Sequence, residues 1–209
     1  MRDLAQEDGF TLIELLVVIL MLSMVITGFF SVLFSGSRGA ETAERTVHSA
    51  QEARAGFNRM IRDVREATII DNAESDAFRV QTDFDGNGAY ENPNVSGDYE
   101  ILTIAYDEDD RSIRLNGAVL IEDVERASGT EVFSYSSNLL SYDWNGDGVT
   151  TSEELDAAPA HGVTGVGNGD GVLNYPELSS ISNVSFSFTI DNGTGETHFF
   201  GEAQLRNRR

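Results

Sequence analysis

From Phe10 to Phe34 the chain is apolar at nearly every position. As a helix rising about 1.5 Å per residue, this run reaches roughly 37 Å, enough to span a bilayer. One residue disagrees with its surroundings. Glu14 lies near the start of the run, where an ionised carboxylate costs about 3 kcal/mol on insertion scales unless a cation meets it. The run contains no Lys, Arg or His to do so. A free α-amino group would serve, if the chain were cut just before Phe10.

The string Gly9-Phe10-Thr11-Leu12-Ile13-Glu14-Leu15-Leu16-Val17-Val18-Ile19 resembles the cleavage and methylation motif of type IV pilins and type II secretion pseudopilins. The resemblance implies cleavage after Gly9 by a membrane prepilin peptidase and N-methylation of Phe10. It also implies that Phe10 and Glu14 carry assembly, with Glu14 neutralising the terminal amine of a neighbouring subunit. The Gln51–Ala67 stretch and the final Gln204-Leu205-Arg206-Asn207-Arg208-Arg209 are similar to the minor pseudopilin J and PilW-like minor pilins. Two other readings compete. A secretory signal would want a basic start and a small-x-small cleavage site, but Arg2 faces Asp3, Glu7 and Asp8. A plain single-pass anchor explains the length and leaves Glu14 unpaired.

The sequence divides into a leader over 1–9, a transmembrane and assembly helix over 10–34, an amphipathic extension over 35–68 and a β-rich head over 69–209. No Pro occurs before Pro93, so nothing obliges the helix to stop at the small residues after Phe34. Beyond it, Val47, Ala50, Ala53, Phe57, Met60, Ile61, Val64 and Ala67 recur at spacings of three and four, one stripe along a helix. Short β-branched or aromatic runs follow, at 78–82, 100–106, 112–115, 118–123, 131–136, 184–190 and 198–205, bounded by Gly, Asn or Asp. Asn116-Gly117 predicts a type I′ hairpin. Alternation over Val184–Ile190 predicts a strand with one buried face, and the lack of helix-length crossovers favours an antiparallel sheet. The expected class is α+β: a pilin-like fold with a long N-terminal helix, transmembrane then amphipathic, packed on an antiparallel β-sheet head.

Charge narrows the partners. Residues 67–209 hold seven Arg against 26 acidic residues, a net of −19. Such a head repels nucleic acid and anionic lipid and attracts divalent cations. All 14 basic residues are Arg and there is no Cys. Schiff-base chemistry, a Walker A loop, disulfides and thiolate zinc sites are therefore excluded.

Residues 137–180 read as an insertion carrying EF-hand-like calcium loops. Asp143 to Glu154 satisfies D-x-[DN]-x-[DN]-G-x₅-E in full. Calcium takes six to eight hard oxygens. This spacing offers the side chains of Asp143, Asn145 and Asp147, the Val149 carbonyl, Thr151 directly or through water, and Glu154 bidentate, with Gly148 at the sharp turn. A second loop aligned on Gly171 retains Asn168, Asp170, the Val172 carbonyl, Asn174 and Glu177, but Val166 stands at its first ligand position. A third begins with Asp83, Asp85 and Asn87 and has Asn94 at the last position, where Glu91 could substitute; an ordinary turn competes with it. Paired loops also resemble dockerin modules, although the helices flanking these, over 152–157 and 176–179, are short.

No catalytic motif emerges. His48, His161 and His198 are scattered, and no G-x-S-x-G is present. The expected protein is a non-enzymatic minor pilin or pseudopilin of a type II secretion system or type IV pilus, its head stabilised by calcium. It would sit in the cytoplasmic membrane as a single-pass protein with an extracytoplasmic head, entering a filament after processing. Its partners would be prepilin peptidase, other pilin-like subunits and the membrane, but not nucleic acid. A membrane-anchored, calcium-dependent adhesin or docking module that never polymerises is the alternative.

Overall fold

The computed structural model describes residues 11–83, 86, 88, 100–191 and 195–205, with the backbone alone for 38–46. The chain forms two compact units, Met1–Arg45 and Thr46–Arg209. Helix α1 covers Leu12–Glu66, as the absence of Pro predicts, and passes Gly36 and Gly39 without a break.

In the first unit, Thr11 caps α1: its Oγ1 accepts from the Glu14 amide at 3.3 Å, and Glu14 lies in the first turn. A carboxylate there is favoured by the positive end of the helix dipole. Leu12–Ser37 has mean hydropathy 2.7, is long and apolar enough to cross a membrane, and buries none of its apolar window. Three of its hydroxyl groups are satisfied within the helix. Ser23, Thr27 and Ser37 donate to the carbonyls of Leu20, Ser23 and Phe34 at 2.7, 2.8 and 3.1 Å, which is what a hydrocarbon surrounding requires.

In the second unit, the apolar stripe of α1 faces the core at Ala53, Met60 and Val64, continued just past the helix by Ala67, all buried, with Phe57 and Ile61 packed partly against it. Val47, read as part of the stripe, is exposed. Past Glu66 the chain turns directly into the sheet, the Thr68 amide donating to the Gln81 carbonyl at 2.8 Å.

The head holds two antiparallel sheets instead of one. The first is a meander in chain order: β1 (Ile69–Ala73), β2 (Ala77–Gln81), β3 (Ile101–Asp107), β4 (Ser112–Leu115) and β5 (Ala118–Ile121). The second orders β10 (Glu196–Gln204), β9 (Asn183–Asp191), β7 (Phe133–Ser137) and β8 (Thr150–Thr151), with β6 (Val124–Arg126) also paired to β9. Val184, Phe186, Phe188 and Ile190 are buried and the residues between them are half-buried, as the alternation predicts. Asn116 and Gly117 both take positive φ, 49° and 82°, as a type I′ turn requires.

Both sheets and α1 share one apolar cluster. The Phe57 ring lies 6.1, 5.9 and 5.7 Å from those of Phe186, Phe188 and Phe199. Two glycines allow this approach. A Cβ on Gly201 would come within 2.7 Å of Phe57 Cζ, and one on Gly56 within 2.5 Å of Ile121 Cγ1 and 2.9 Å of the Leu120 carbonyl.

Candidate functional site

The insertion leaves the second sheet at Ser137 and returns at Asn183, and its base is closed by hydrogen bonds. Ser137 Oγ donates to the Ser180 carbonyl at 2.6 Å, and the Asn138 amide donates to Ser182 Oγ at 2.7 Å. Strand β8 pairs with β7, Ser136 opposite Thr151 and Ser137 opposite Thr150. The short helix α2 (Ser152–Asp156) follows at once and buries Leu155 completely in the main core. The loops are thus fixed to the sheet by backbone pairing and by an apolar anchor.

In the first loop, Asp143 Oδ1 accepts from the amides of Gly146 and Asp147 at 2.6 and 3.0 Å, and its Oδ2 from Gly148 at 2.9 Å. Asn145 Oδ1 accepts from the Asp147 amide at 2.8 Å, and Asp147 Oδ1 from Val149 at 2.8 Å. Gly146 and Gly148 take φ of 79° and 87°, open to glycine at little cost. These contacts wind the loop around its own side-chain oxygens. Glu154 closes it: Oε1 accepts from the amides of Trp144 and Asn145 at 2.8 and 3.2 Å, and Oε2 from Thr151 at 3.0 Å. Thr151 and Glu154 form a complete capping box on α2, so one carboxylate serves both helix and loop.

Trp144 lies at the second position of this loop. Its Nε1 donates to the Glu154 carbonyl at 3.1 Å, and its ring stacks between Tyr142 and His161, at 5.6 and 4.1 Å with interplanar angles of 5°. As the chain's single Trp, it reports on this loop and on the His161 turn stacked against it. The other histidines lie apart, His48 on exposed α1 beside Glu52 and His198 on β10.

The second loop repeats the backbone pattern of the first, with Val166 in place of its first carboxylate. Asn168 Oδ1 accepts from the Asp170 amide at 3.0 Å, Asp170 Oδ1 from Val172 at 2.9 Å, and Gly169 and Gly171 take φ of 73° and 76°. Asn174 Nδ2 approaches the Val172 carbonyl at 3.2 Å. The carboxylate missing at Val166 is replaced from outside the loop. Asp156, on α2, accepts from the amides of Gly169 at 2.7 Å and Gly171 at 2.9 Å, the two positions that Asp143 serves in the first loop. Sequence spacing did not identify it. Glu177 opens helix α3 (Glu177–Ser180).

In the third stretch Asp83 accepts from Gly86 at 2.7 Å and Gly88 at 3.1 Å, again the fourth and sixth positions. Asp85, Asn87 and Glu91 lie outside the described residues, as do Gly9 and Phe10.

Of the six candidate ligands in the first loop, three are carboxylates and three are Asn, Thr or a carbonyl. Among the described residues no three Asp, Glu or His side chains converge as a ready metal cluster. An ion would have to be held by the mixed oxygen set, as calcium allows.

The remaining site is the first turn of α1. Residues 4–30 match the prokaryotic N-terminal methylation motif. The chain carries that motif. The match spans Gly9, Phe10 and Glu14 and ends within the exposed apolar segment, and it supports the pilin-like resemblance of the same residues. No curated protein and no solved structure matches the chain at a significant level.

Proposed function

We propose that this chain is a structural, type IV pilin-like subunit, a minor pilin or pseudopilin of a type IV pilus or type II secretion filament. The observation that carries this is the methylation motif over residues 4–30, in register with a helix whose apolar side chains are exposed on every side. Such a surface needs lipid before assembly and other apolar helices after it. Prepilin peptidase would cut after Gly9, and the new Phe10 amine of one subunit would meet Glu14 of the next, relieving the cost of a carboxylate in hydrocarbon. Two experiments test this. The protein purified from its native membrane should begin at Phe10; a chain still beginning at Met1 refutes the processing. Glu14→Ala should still be processed but fail to enter filaments, and its normal incorporation refutes the pairing.

We assign calcium to the first insertion loop, through Asp143, Asn145, Asp147, the Val149 carbonyl, Thr151 and Glu154. The fit is supported by the six-ligand pattern and by a loop already wound around its own carboxylates. Outside the cytoplasm, modules of this kind bind at ~10⁻⁴–10⁻³ M, and binding only the folded state stabilises it. Melting with calcium and with chelator tests this: equal midpoints refute it. The paired loops also favour a second reading, an anchored docking module that never polymerises. Crosslinking in intact membranes separates the two, because a filament subunit gives adducts to other pilin-like chains through its apolar segment.

A further inference from the structure

The second loop carries an observation that its hydrogen bonds do not explain. Glu177, at the loop's twelfth position, is 0% exposed, and neither of its carboxylate oxygens has a hydrogen-bond partner. Its counterpart Glu154 accepts from the amides of Trp144, Asn145 and Thr151. The second loop offers Glu177 no such donors: its helix begins at Pro176 with no side-chain cap. A buried carboxylate with no donor is costly unless a cation meets it.

Resting on the calcium reading above, we infer that the second loop is a further divalent-cation site, its carboxylates gathered by the ion. Its first ligand is Asp156, from ten residues before Val166, and its last is Glu177. Asn168, Asp170, the Val172 carbonyl and Asn174 supply the rest, a hard-oxygen set that suits calcium.

The backbone explains how Asp156 takes that place. A Cβ on Gly167 would come within 2.2 Å of the Leu155 carbonyl and 2.4 Å of the Asp156 carbonyl. Only glycine lets the loop's second position lie against the last turn of α2. Docked there, the loop presents the amides of Gly169 and Gly171 to Asp156. The two loops are joined through a five-residue helix: Glu154 ends the first ligand set and Asp156 begins the second.

The test is ion stoichiometry on the full chain in detergent, at ~1 mM free calcium, with Trp144 emission as an independent reporter of the first loop. Asp156→Asn should bind one ion fewer than the wild type, while the calcium-dependent change in Trp144 emission persists. Asp143→Asn should abolish that emission change. Asp170→Asn, on the exposed side of the second loop, should lose the same ion as Asp156→Asn and serves if the latter does not fold. Wild-type stoichiometry in a folded Asp156→Asn overturns the Asp156 assignment, wild-type stoichiometry in Asp170→Asn overturns the second site altogether, and either result leaves the first-loop reading intact. A wild-type chain that binds no calcium overturns both.

Discussion

Replacing Glu177 with Met should make the chain more stable in chelator and less responsive to calcium. Met is unbranched and of similar length, carries no charge and does not ligate calcium. Without a cation, wild-type Glu177 keeps two carboxylate oxygens buried and unpartnered, a desolvation cost of about 1–3 kcal/mol or more for a charged group. At about 2–4 °C per kcal/mol for a unit of this length, the variant should melt roughly 2–12 °C higher in chelator. In ~10 mM calcium, about a hundredfold above a ~10⁻⁴ M dissociation constant, a filled loop adds about 2.7 kcal/mol. The wild type should then recover the difference, whereas the variant gains only from its other loop. Calorimetry of the detergent-solubilised chain, with chelator and with calcium, reads both arms. A variant that melts lower than the wild type in chelator, with an undiminished calcium shift, would show that Glu177 supports the fold and not an ion.

Gly56→Ala places a methyl 2.5 Å from Ile121 Cγ1 and 2.9 Å from the Leu120 carbonyl; the backbone cannot rotate away, so about 1–3 kcal/mol of stability should be lost in denaturant titration. Tyr135→Phe removes a hydroxyl that donates to the Glu74 carbonyl at 2.6 Å and should cost about 0.5–1.5 kcal/mol in the same assay. Burial raises the pKa of Asp63 above its ordinary value of 3.8, a rise that Arg59 and Arg62 offset only in part. Ionising it is therefore harder in the folded state, so its contribution to stability is fully present below pH ~3.8 and is lost as pH rises through the folded value. Asp63→Asn, melted in chelator across pH 3–7, should gain on the wild type as pH rises; an advantage that shrinks instead would refute the sign.

What was legible in the sequence followed from periodicities that burial enforces. The stripe on α1 and the alternation of β9 were visible because each element has one face against the shared core, and residues on that face must be apolar. The division into two sheets was not, because both sheets bury the same kind of side chain into one cluster and nothing local records which strand neighbours which. Strand β1 does not alternate because its pairing with β2 shifts register between Ile70 and Asn72, which places Asp71 on neither strict face. Strands β6 and β8, three and two residues long, are too short to show a period. Their pairing is set by where β9 and β7 present free edges.

The loops were legible for a different reason. Their pattern specifies backbone geometry as well as ligands: glycine at the sixth position, to which these loops add one at the fourth, all with positive φ. The second loop met the backbone half of that specification and failed the ligand half at Val166, which on spacing alone reads as a lost carboxylate. The requirement is less local than the pattern suggests. An oxygen pair must reach the amides of the fourth and sixth positions, and any aspartate whose backbone can approach closely enough will serve. The sequence carries a trace of that approach in Gly167, which stands where the first loop has the bulky Trp144. Together with a buried glutamate at the twelfth position that finds no donor, it implies that a displaced ligand completes the loop, and Asp156 is the aspartate that α2 brings within reach.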